Sequence, residues 1–116
     1  MPVRKFVEKF TKSVDAQDRE RLETWCAQRG GAPLDSLQLR QPVRVAGEIR
    51  SVRIVPRAGA ASFEATVQDG RGSVTAVFLG RRKIAGLSPG RRVLLDGVVT
   101  TQRNSSLMFN PVYQLQ

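Results

Sequence analysis

Histidine is absent from the 116 residues. With it go the commonest general base, the Ser-His-Asp style of nucleophile activation and most zinc ligand sets. Cysteine occurs once, as Cys26, which permits no internal disulfide and no Cys-x-x-Cys metal pair and fits a reducing, cytoplasmic setting. Carboxylates thin out after Asp35 to Glu48, Glu64, Asp69 and Asp96, and nothing in their spacing suggests an acid/base pair or a metal cage. Ser105-Ser106 has no base to activate it. The chain is therefore expected to be no enzyme and to carry no metal or cofactor. Long apolar runs are missing too. No stretch approaches the roughly 20 apolar residues of a spanning helix, and Met1 to Phe10 interleaves Arg4, Lys5, Glu8 and Lys9 with its apolar residues, so it lacks the apolar centre of a secretion signal. No membrane insertion is expected.

What the chain has in excess is positive charge. Its 19 Lys+Arg against 10 Asp+Glu give a net +9 and a pI near 11.3, and the excess is uneven: residues 1–40 carry +2 and residues 41–116 carry +7. With 41% hydrophobic residues, 6% aromatic residues, 10 Gly and 6 Pro, the length suits one small domain with many turns.

From Asp15 to Arg29 the apolar spacing Leu22, Trp25, Cys26 predicts an amphipathic helix, with Ser13 or Asp15 as its cap and Gly30-Gly31 as its stop. Trp25 and Cys26 lie on its apolar stripe, Trp25 to pack on the rest of the domain and Cys26 as a small buried hydrophobe. Arg19 and Arg21 sit among Asp18, Glu20 and Glu23, a charge-balanced helix face expected to take no part in binding. Met1 to Lys12 is read as a frayed arm or a further amphipathic segment built on Phe6 and Phe10, and Gly30 to Pro42 as a connector.

After Pro42 the period becomes two. Val43, Val45, Gly47 and Ile49 alternate with polar partners, then Val52 and Ile54 continue the apolar set on the other parity. That flip at Arg50-Ser51 predicts a bulge or sharp coil in a long first strand. Phe63, Ala65 and Val67 mark a second strand, Asp69-Gly-Arg-Gly72 a tight turn with Asp69 as turn former, and Ser73 to Leu79 a third strand. Phe63 and Phe78 share the apolar parity and belong to the core. Arg81 to Leu87 is read as one short helical turn, Val93 to Val99 as a fourth strand, Gln102 to Ser105 as a turn, and Leu107 to Leu115 as a fifth strand interrupted by Pro111. Residues 1–40 thus form a helix and connector, and residues 41–116 an all-β domain.

That strand order, with Val45-Ala-Gly-Glu-Ile49, Asp69-Gly-Arg-Gly72, Val74-Thr-Ala-Val-Phe78, Leu87-Ser-Pro-Gly90, Val93-Leu-Leu-Asp-Gly-Val98 and Met108-Phe-Asn-Pro-Val-Tyr113, resembles the nucleic-acid-binding OB family. It is similar to the anticodon-binding domains of class II aminoacyl-tRNA synthetases and, in its closing Asn-Pro-x-Tyr, to the wedge domain of bacterial branched-DNA helicases. As a whole the chain most resembles small, stand-alone actinobacterial OB-fold proteins. The resemblance implies a five-stranded OB-fold barrel that binds single-stranded or branched DNA, or RNA, with low sequence specificity.

In that family nucleic acid crosses the outer face of the second and third strands between the loops after the first and fourth. Carried onto this chain, the face offers Glu64, Thr66 and Gln68 and, on one choice of parity, Thr75, Val77 and Leu79. Around it stand Arg50, Arg53 and Arg57, then Arg71 in the hairpin, Arg81, Arg82 and Lys83 after the third strand, and Arg103 before the fifth. Arginine suits phosphate neutralisation and base stacking. Phe109 and Tyr113 are candidate stackers. The competing expectation is a protein-docking module that uses an apolar patch around Val77 and Leu79, or the N-terminal helix.

Overall fold

β1 (Pro42–Arg57) is long enough to serve two neighbours, and this sets the architecture. The computed structural model describes residues 2–116, with side chains from Asp15 onward. In it the first half of β1 pairs antiparallel with β4 (Arg92–Gln102), from Pro42↔Val98 to Glu48↔Arg92. The second half pairs with β2 (Ala60–Gln68), from Glu48↔Gln68 to Arg57↔Ala60. The parity flip in the sequence is a bulge: Ile49 faces Val67, Ser51 faces Thr66, and Arg50 is left over. Because of that extra residue, Val45 and Ile49 before the bulge and Val52 after it all face one core. Gly47 sits at the bend. A Cβ there would lie 2.5 Å from Val67 Cγ1 and 2.6 Å from the Gln68 carbonyl oxygen, so β1 crosses β2 more closely than any side chain allows.

β3 (Ser73–Leu79) pairs antiparallel with β2 and parallel with β5 (Ser105–Phe109), which pairs antiparallel with β4. With the β1–β4 pairing this closes a ring of five strands in the order β1-β2-β3-β5-β4, a mostly β fold with one α-helix among the described residues. Val45, Ile49, Phe63, Val67, Val74, Phe78, Leu95, Val99 and Met108 fill the ring, and Leu34, Ile84 and Leu87 pack into the same cluster from the connecting segments. Both phenylalanines are core residues, as their parity predicts.

α1 (Pro2–Gln28) packs on the outside of the ring. Its Leu22, Cys26 and Trp25 meet Ala46 and Leu94, the outward-facing residues of β1 and β4. Gly30, at φ 74, ends the helix, and the Gly31 N–H returns to the Cys26 carbonyl at 3.0 Å. Buried Asp69 ties connector to hairpin: Oδ1 accepts from the Arg71 and Gly72 N–H groups at 2.8 and 3.0 Å, and Oδ2 from Leu34 N–H at 2.9 Å. It is the turn former the sequence implied.

Three local expectations change. The helix runs back to Pro2, so Ser13 and Asp15 are interior positions and not caps; the preceding residues hold no Gly or Pro after Pro2 to stop it. Residues 81–87 form no helical turn. Instead two β-turns follow each other, Leu87 N–H to Ile84 O at 3.2 Å and Arg91 N–H to Ser88 O at 3.1 Å, with Gly86 and Gly90 at φ 86 and 90, a conformation that no α-helix contains. The last strand is two. β5 stops at Phe109, Asn110 turns at φ 47, and β6 (Val112–Leu115) pairs with β4 alone, because Pro111 has no N–H with which to continue the ladder. Phe6 and Phe10 lie outside the described side chains. Among the described residues no helix is long and apolar enough to cross a membrane.

Candidate nucleic-acid interface

The outward face of the ring carries one row of side chains fixed by register: Arg53 opposite Glu64, Glu64 opposite Val77, and Val77 opposite Phe109. Glu64 is the centre of that row. Its side chain is 1% exposed, yet Oε2 accepts from Arg57 Nε at 2.7 Å and Oε1 lies 3.4 Å from an Arg53 guanidinium nitrogen. The Ser62 hydroxyl donates to the Val55 carbonyl at 2.8 Å and sits 3.4 Å from Glu64 Oε2. A buried carboxylate without a cation is costly, so the pairing is what lets Glu64 stay there.

Arg57 is held on three sides. Beyond Glu64, it donates to Gln102 Oε1 at 3.2 Å, and its guanidinium lies over the Phe109 ring at 5.7 Å from the centroid. Phe109 is 40% exposed. Two hairpins flank this row, one turning at Ala58-Gly59 (φ 49 and 79) and one at Arg103-Asn104 (φ 52 and 64), both two-residue turns of the kind that joins tightly twisted strands. Between them lies a groove of about 440 Å³ lined by Arg53, Arg57, Glu64, Thr75, Gln102 and Arg103, among others. Three arginines against one satisfied carboxylate leave it positive.

A second, larger cleft of about 850 Å³ lies between α1 and the β2–β3 hairpin. Arg19 and Arg21 enter it from the helix, Arg50 from the bulge, Arg71 from the hairpin and Arg92 from β4, with Asp15, Asp18 and Glu48 interspersed. Arg92 stacks on Trp25 at 4.9 Å, and Arg29 lies 5.6 Å from the same ring.

The residues expected at one site are thus divided. Arg53, Arg57, Thr75 and Arg103 meet in the sheet groove. Arg50, Gln68 and Arg71 line the helix cleft. Thr66, half-buried between Ser51 and Thr75 in the sheet, lines neither, and Arg81, Arg82 and Lys83 are exposed on the loop after β3, also in neither. Val77 is fully buried while Leu79 is 46% exposed, so the apolar docking patch expected around the pair does not form. Val77 is the member of the row between Glu64 and Phe109. Tyr113 is half-exposed and packs edge-on against Phe78 at 5.7 Å.

Sequence reasoning passed over Gln102, the anchoring role of Glu64, and the part of Arg19, Arg21 and Arg92 in the cleft. For Glu64 a signal existed: counting back from a two-residue turn at Ala58-Gly59 sets Arg57 opposite Ala60 and Arg53 opposite Glu64. For the helix arginines there was none, since the packing angle of α1 on the ring is a tertiary fact.

Away from both grooves, Arg44 grips Asp96 bidentately at 2.8 and 3.0 Å and holds that carboxyl below the usual range. Burial, with the Asp69 charge adding to it, pushes the Cys26 thiol up to about 11. Among the described residues no three His, Cys, Asp or Glu side chains cluster as a metal site would require. The chain matches no protein-family model and no curated protein sequence.

Proposed function

We propose that this chain is a non-enzymatic OB-fold protein that binds single-stranded or branched nucleic acid, with low sequence specificity, through the sheet groove. The OB reading is supported by the ring order β1-β2-β3-β5-β4, by β3 and β5 being its one parallel pair, and by a coiled β1 that pairs on both sides. One observation carries the binding reading: buried Glu64 holds Arg57 over the Phe109 ring, in a groove that Arg53 and Arg103 also line. An arginine laid on an aromatic ring offers a planar cation for an unpaired base to stack on, and the flanking arginines suit its phosphates. Most of the groove's charge is guanidinium, which suits phosphates of any sequence, so sequence tolerance is part of the reading.

The test is a fluorescence titration of the full chain with single-stranded, duplex and forked oligonucleotides at several salt concentrations. Single-stranded and forked ligands should bind more tightly than duplex, with affinity falling steeply as salt rises. No detectable binding of any oligonucleotide at low salt would overturn the proposal in favour of a protein-docking module.

A further inference from the structure

The cleft between α1 and the β2–β3 hairpin shares no lining residue with the sheet groove. Five arginines from four elements converge on it, and the chain brings them there by separate devices. The β1 bulge leaves Arg50 unmatched by β2. Asp69 takes the backbone N–H groups of Arg71 and Gly72, fixing the hairpin that carries the Arg71 side chain outward. Gly70 lets that hairpin approach the helix: a Cβ there would fall 2.8 Å from Glu23 Cγ and 3.0 Å from Arg19 Cγ. Trp25 lies beneath the Arg92 guanidinium.

Carboxylates are at hand, since Asp15, Asp18 and Glu48 line the same cleft. Among the described residues they form only one ion pair there, Arg21 to Asp18 at a loose 3.9 Å, and Arg19, Arg50, Arg71 and Arg92 form none. Cations gathered from several elements repel one another, and among the described residues that single loose pair is the only ion pair in the cleft to relieve it. We propose that this cleft is a second anion site, which takes a run of neighbouring phosphate groups, either along a phosphodiester backbone or in a free polyphosphate chain. At about 850 Å³ it has room for several phosphates together. Guanidinium forks from separate elements suit a chain of phosphates better than one isolated anion.

Inorganic tripolyphosphate, titrated into the full ¹⁵N-labelled chain at low salt and followed on the arginine Nε–H signals, tests the site directly. Saturable shifts are expected at Arg19, Arg50 and Arg71, with Arg81 and Arg82 little moved. The double variant Arg50→Ala/Arg71→Ala should weaken tripolyphosphate binding about tenfold or more, while the charge-matched Arg81→Ala/Arg82→Ala should change it less than twofold. Glu48→Gln, which removes a competing carboxylate, should tighten it. Shifts that never saturate, or an equal loss in the two double variants, would mean that the chain only gathers anions by net charge, and the proposal would fall. A forked oligonucleotide then separates the sources: if it saturates the same three signals the ligand is a backbone, and if only tripolyphosphate does so it is a free chain. The Arg53 and Arg103 signals report the sheet groove in the same spectra, so failure of one site is read apart from failure of the other.

Discussion

Glu64 and Arg57 form a 2.7 Å ion pair in which the carboxylate is almost wholly buried and the arginine reaches from it to the open groove. The asymmetry matters energetically. Arg53, the second partner, is 71% exposed at its side chain and adds little, so Arg57 supplies most of the neutralisation.

Replacing Glu64 by Ala removes a buried charge and its cavity-filling stem together and should lower stability by about 1–3 kcal/mol in urea unfolding. Arg57→Ala should cost at least as much, because it leaves the carboxylate buried and unpaired. The double variant should cost clearly less than the two single losses added together, by about 0.5–3 kcal/mol of coupling. Simple additivity would mean that the pair does not hold the row together.

How much of this was legible follows from the range of the forces involved. Alternation, the bulge at Arg50, the Asp69 hairpin and the Gly30 stop are set by neighbours in sequence, and each was readable. The turn at Gly86 reads as helix in the sequence because Arg-Arg-Lys-Ile-Ala is a fair helix former until a positive φ at that glycine is imposed by docking Ile84 and Leu87 into the core. The division of the arginines between two grooves was not readable at all. Arg50 and Arg53 are three residues apart on one strand, yet the bulge and the twist of β1 send them to different cavities. Arg19 and Arg21 looked balanced by their helix neighbours, and only the packing of α1 sets them beside Arg50 and Arg71.

Gly47 and Gly59 make a matched pair of backbone tests. Gly47→Ala drives a Cβ into Val67 and the Gln68 carbonyl where β1 bends, and should cost about 3 kcal/mol. Gly59→Ala meets open space and should cost only about 1 kcal/mol, from its left-handed φ of 79. Thermal melts of the two variants should therefore separate widely, and similar melting temperatures would contradict the tight crossing of β1 over β2.

Cys26 offers a pH test. A thiol held near 11 rather than 9 has about a hundredfold less thiolate at pH 8, so thiol reagents should label the folded chain slowly and the urea-unfolded chain fast. The folded state favours the protonated thiol, so its contribution to stability is complete below the unfolded value near 9 and is lost as pH rises through about 11. Cys26→Ala should lack that alkaline loss. Equal labelling rates in the folded and unfolded chain would place Cys26 outside the contact with Ala46 and Leu94.

The salt dependence of binding separates a dedicated groove from a diffuse positive surface. Arg53 and Arg103 line the sheet groove without serving as the main anchor of Glu64, so Arg53→Ala/Arg103→Ala should leave the fold intact. If each neutralises one phosphate of a single strand, the pair contributes about 1.4 to the slope of log K against log salt, at roughly 0.7 per phosphate. The double variant should flatten the slope by about that amount and weaken all sequences alike. Arg81→Ala/Arg82→Ala removes the same charge from a loop that lines neither groove, and should shift the slope by well under half as much. The stacking component should behave differently. Phe109→Ala removes the ring beneath Arg57, so it should weaken single-stranded ligands by about 1–3 kcal/mol while leaving the salt slope unchanged, because stacking releases no counterions. A flattened slope in Phe109→Ala, or equal slopes in the two arginine pairs, would show that the row from Arg53 to Phe109 is not the site where the strand lies.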